Sequence, residues 1–205
     1  MMAAMDYLLT PEQKVLKETI RSFVALEVPS LRAVAAPDKE IAEALILKLG
    51  EFIRERGGRP GIDGSFPLSG VETVMVLEEI LKGLPVAGPE PAEGRLFEGL
   101  SPELRSSAAL LGLAQGVLAP CFGRAFGRGG LEVSGHDCGA LDQELADVLS
   151  AIEAARLMTY RAAILEDEKR PDAEEATEAK RQAEELASRA ADLAALIKKG
   201  EDHET

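Results

Sequence analysis

Apolar residues recur at helical spacing along nearly the whole chain. In TPEQKVLKETIRSFVALE, residues 10–27, Thr10 can cap a helix, Pro11 suits its first turn and Gln13 completes a capping box. Leu16, Ile20, Phe23 and Val24 then form its buried stripe. A second helix is predicted from about Asp38, with Ile41, Leu45, Leu49 and Phe52 on one face, stopping at Gly57 and Gly58. Ser69 and Glu72 make another capping box, and Val74, Leu77, Leu81 and Leu84 carry a third helix to Gly83–Pro85. The stretch VAGPEPAEG, 86–94, reads as a linker.

A second block opens at Ser101 and Pro102, with Ala108, Leu111, Gln115 and Leu118 at helical spacing. Gly112 and Gly116 lower its helicity but let another backbone approach closely. Pro120 is expected to kink or end it. From about Leu141 to Leu165 the chain has no proline, and its polar residues Asp147, Ser150, Glu153 and Arg156 make a narrow ribbon, so a helix central to the bundle is predicted. In a last helix from about Pro171, Ala176, Ala179, Ala183, Leu186, Ala190, Leu193 and Ile197 alternate steps of three and four, a close-packing seam. Its other faces are charged, with Glu185 and Arg189 as a supporting pair, and the acidic tract from Glu166 onward reads as a solvated face. No period-two strand pattern is convincing. The expected fold is an all-α helical bundle: an N-terminal helical region over 1–85, a linker over 86–100 and a C-terminal bundle over 101–200.

With 205 residues and 46% hydrophobic composition the chain can bury a core. A net charge of −13 argues against nucleic acid, whose phosphates call for clustered Lys and Arg. No segment approaches the roughly 20 apolar residues of a membrane span. MMAAMDYLL lacks the charged start and long apolar run of a secretory leader, and Cys121 and Cys138 make no disulfide framework, so a cytoplasmic protein with free thiols is expected. Arg124 and Arg128, set among Gly123, Gly127, Gly129 and Gly130, offer guanidinium forks and exposed amides to a phosphate. A surface loop is the alternative, since no phosphate-loop Lys and no preceding strand accompany them. His136, Asp137 and Cys138 are adjacent residues without a second ligand pair, so no metal site is read there.

Placed on these helices, several stretches resemble the acyl-CoA dehydrogenase family. LLTPEQKVLKETIRSFVALEVPSL resembles its first helix, and KLGEFIRERGGRPGIDGSFPLSGVETVMVLEEIL the helix, glycine loop and Glu-Glu helix that follow. GLAQGVL resembles the start of its C-terminal bundle, and LADVLSAIEAARLMTYRAAILED, with Lys180 following, the next helix pair. The resemblance implies the helical parts of such an enzyme without its middle β-domain, because VAGPEPAEGRLFEG stands where that domain would lie. In the family the last helices, with a glycine pair and in many members the catalytic Glu, would follow Ile197, where this chain has KKGEDHET. Other members place their base at the position of Pro102, which takes no proton. Glu103 falls where many members have a substrate-binding Arg, and is read as serving the helix dipole.

Arg128 falls on the Arg of an R-x-x-F-G motif that reaches a neighbouring subunit's flavin pyrophosphate, although Gly129, Gly130, Leu131 and Glu132 depart from the motif. FAD is thus the cofactor that the resemblance makes possible, through Arg128, while none is expected for the isolated chain. The implied role is a non-catalytic interaction or accessory subunit in fatty acid metabolism, self-associating or joined to a full-length acyl-CoA dehydrogenase. The alternative is an FAD-dependent acyl-CoA oxidoreductase subunit, with its active site completed by another polypeptide.

Overall fold

A computed structural model describes residues 9–33, 38–55, 68–84, 97, 99–125 and 138–201. All regular secondary structure among them is helical: α1 (Pro11–Arg32), α2 (Asp38–Glu55), α3 (Gly70–Gly83), α4 (Pro102–Ala125), α5 (Cys138–Asp167) and α6 (Ala173–Glu201). Both capping boxes form, Thr10 with Gln13 at α1 and Ser69 with Glu72 at α3. No described helix is long and apolar enough to cross a membrane.

The α6 seam from Ala176 to Ile197 is buried at every position named above. Its small residues let α4 pack closely along it, and α5 packs there as well. Glu185 meets Arg181 rather than serving Arg189, at 3.5 Å. Two apolar clusters result. One draws on all six helices, gathering Ile20, Leu45, Leu77, Leu104, Ala163 and Ala176 among others. The other fills the space between the later turns of α4, the first half of α5 and α6, with Leu118, Leu145 and Leu193.

The central position goes to α3 and α4 instead of α5. Every residue from Thr73 to Leu81 is buried, as is every residue from Leu111 to Gly116. On α5, by contrast, Gln143, Asp147, Ser150, Ala154 and Arg161 form a solvent-facing side. Alanines made that helix read as apolar all round, yet alanine tolerates either environment. The polar ribbon also misleads for a geometric reason. Steps of three residues fall about 60° short of a full turn each, so a ribbon that faces water at Asp147 has rotated to the core by Arg156. α4 continues past Pro120 to Ala125. Ala119 and Pro120 are exposed, which puts the missing amide hydrogen on the solvent side of the helix.

Candidate functional site

The buried charged residues meet where α1, α3, α4 and α5 converge. α3 brings Glu78 and Glu79 inside because VMVLEEIL is apolar on both sides of them, so a buried helix carries them in. α4 crosses α3 at Gly112, where a Cβ would lie 2.5 Å from the Glu78 carbonyl oxygen and 3.1 Å from its Cα. One turn on, Gln115 is delivered to the same junction. α5 supplies Glu153, Arg156 and Tyr160, and all three are buried.

Arg156 organises this group. Its Nη1 donates to Glu153 Oε2 at 3.0 Å and its Nη2 to Gln115 Oε1 at 3.4 Å. Its Nε lies 3.3 Å from Glu78 Oε2, at ion-pair distance but off the hydrogen-bond line, and Tyr160 donates its hydroxyl to that same oxygen at 3.3 Å. Glu79 points toward α1, where Arg21 donates to its two oxygens at 3.2 and 3.0 Å. Lys17 of α1 is buried alongside. Complete burial pushes the Glu78 carboxyl up to about 7, against the opposing pull of Arg156 and Lys17. Burial also pushes the Tyr160 hydroxyl up, with the Glu78 charge adding to it. These ion pairs link α1, α3 and α5 inside the bundle, with the Glu78, Glu79 and Glu153 carboxylates shielded from solvent.

The residues singled out from sequence lie elsewhere. Pro102 is exposed in the first turn of α4 and Glu103 is half-buried beside it. Arg124 sits in the last turn of α4, with its side chain outside the described residues. Arg128 and the Gly-rich stretch around it, His136, Asp137 and His203 also lie outside them. Cys121 is buried in the last turns of α4. Among the described residues, no group of three His, Cys, Asp or Glu side chains could hold a metal ion. An open groove of about 640 Å³ runs along α1, lined by Lys14, Val15, Glu18, Thr19, Ser22, Phe23 and Leu26 with Phe52 of α2. Of its lining residues Lys14 and Glu18 are charged, and Glu18 is paired with Arg21 at 2.7 Å.

The sequence did not single out Glu78, Glu79, Gln115 and Tyr160 as site residues, and it showed Glu153 and Arg156 only as part of a narrow polar ribbon. One signal was present, since two adjacent glutamates inside an unbroken apolar helix must find buried partners. No curated protein and no solved structure matches this chain. Residues 104–198, which span nearly all of α4 and α6 and the whole of α5, match the family model described as acyl-CoA dehydrogenase, C-terminal domain, and the chain thus carries the resemblance to that family through its C-terminal helices.

Proposed function

We propose that this chain is a non-catalytic interaction or accessory subunit related to acyl-CoA dehydrogenases. The observation that carries the reading is the disposition of its buried acids. Among the described residues these are Glu78, Glu79 and Glu153, and each is held by an arginine within the bundle. Abstracting an α-proton from an acyl-CoA thioester needs a carboxylate held against the substrate, and Pro102 stands at one family position for it. What remains is a helical scaffold whose outer surfaces are free for association with itself or with a full-length acyl-CoA dehydrogenase.

The test is spectroscopic. The purified chain is expected to show no stoichiometric flavin absorbance and no bleaching on addition of acyl-CoA. A flavin spectrum that survives purification and bleaches with acyl-CoA overturns the accessory reading in favour of an oxidoreductase. Activity that appears only on mixing with a second polypeptide, and loses flavin when Arg128 is changed to Ala, supports a shared active site instead.

A further inference from the structure

Four polar atoms at the Arg156 junction have no hydrogen-bond partner: Glu78 Oε1, Glu153 Oε1, Gln115 Nε2 and Arg156 Nε. All four residues are at least nine-tenths buried, with Glu78 at 2% and Gln115 at 5% exposure. They are joined through one guanidinium, because Arg156 touches Glu78 Oε2 at 3.3 Å, Glu153 Oε2 at 3.0 Å and Gln115 Oε1 at 3.4 Å. Glu153 Oε1 is itself 3.0 Å from Arg156 Nη2 but off the hydrogen-bond line.

The set has a definite chemistry. With Glu78 ionised, two of the atoms are carboxylate oxygens that only accept, and two are nitrogens that only donate. A water molecule donates twice and accepts twice, so it complements that set fully. Rotating the Gln115 amide does not substitute for it, since the rotation would turn an NH₂ group toward Arg156 Nη2, donor against donor. Nor can a metal cation serve, because the arginine already occupies the centre of the cluster with its charge.

We propose that the junction of α3, α4 and α5 is an internal solvent site, holding an ordered water that donates to Glu78 Oε1 and Glu153 Oε1 and accepts from Gln115 Nε2 and Arg156 Nε. Buried polar groups in folded proteins are paired, and where the protein supplies no partner an ordered water with two to four bonds takes the place. The water belongs to the scaffold: it ties the central helices α3 and α4 to α5 at the point where Gly112 brings their backbones together.

Oxygen-17 relaxation dispersion of water, recorded on the full chain, counts long-lived internal waters. The wild-type protein is expected to give such a signal, and Gln115→Met, which keeps the side-chain length without its polar atoms, is expected to lose one water per chain. A signal unchanged by Gln115→Met overturns the proposal. Should that variant fail to fold, a crystal structure of the wild-type chain decides. Water density between Glu78 Oε1 and Gln115 Nε2 supports the site, and direct contact between those two atoms overturns it.

Discussion

Gly112 shows two residue-scale effects in competition. Inside a helix, alanine outranks glycine by about 1 kcal/mol. Here the new methyl would meet the Glu78 backbone at 2.5 Å, and backbone cannot move aside as a side chain can. Overpacking of this kind costs about 1–3 kcal/mol, so Gly112→Ala is expected to destabilise despite its propensity, read as a lower urea midpoint. Glu78 makes a second residue-scale prediction. Its folded-state carboxyl is raised from 4.5 to about 7, mainly by burial. The folded state therefore holds the proton more tightly than the unfolded one, and the contribution of Glu78 to stability is fullest below pH 4.5 and is lost as pH rises through 7. Glu78→Gln removes that dependence. Relative to wild type it should gain up to about 3 kcal/mol between pH 5 and pH 8. Melting curves with an equal gap at both pH values would show that Glu78 does not titrate in this range.

At the scale of elements, the acidic end of α5 is solvated as expected and at the same time serves as a tertiary cap. Asp167 accepts from Gly70 N at 2.7 Å and Val71 N at 3.5 Å, while Ser69 Oγ takes Glu72 N and the Ser69 carbonyl takes Thr73 N. The four amides that begin α3 are thus all satisfied, which lets so apolar a helix start inside the protein. Next to Asp167, Glu166 accepts from Ser101 N at 3.2 Å where α4 begins. Two adjacent carboxylates therefore meet the positive ends of the two central helices. Loss of one such cap costs about 1 kcal/mol. Asp167→Ala is expected to lower the urea midpoint accordingly, with Asp167→Asn recovering much of the loss because its oxygen still accepts. Equal losses in the two variants would mean that the hydrogen bonds at Gly70 and Val71 contribute nothing. Beyond the cap, Lys169 takes a positive φ of 59°, and the Arg170 amide bonds back to the Leu165 carbonyl at 2.9 Å, closing α5 before α6 begins.

For the whole molecule, the proposed role requires association. The basis is narrower than an all-apolar α5 would have given, since that helix turns polar residues to solvent. Among the described residues, the exposed large apolar side chains are Val15 and Leu26 on α1, Leu47 on α2 and Ile164 on α5. Light scattering is expected to give a mass above the 21.8 kDa of one chain at micromolar concentration. A charge at the half-buried Met158 of α5 should then reduce that mass before it reduces helicity. A stable monomer under those conditions would leave the chain without self-association and confine the accessory role to a different partner.

The sequence by itself determined that the described residues fold as helices, where α1 and α3 begin, and which face of α6 is buried. It also marked Gly112 as a point of close backbone approach and put Gln115 on a core face. These features are local: periodicity, caps and small residues act within a few turns of one helix. Only the tertiary structure decided which helices lie at the centre, because alanine-rich surfaces such as those of α5 are compatible with either place. It alone brought Arg156 to Gln115, 41 residues away, and Asp167 to Gly70, 97 residues away. Hydrogen bonds between groups so distant along the chain leave no periodic trace, since each depends on the angle at which two helices cross and not on the sequence of either one.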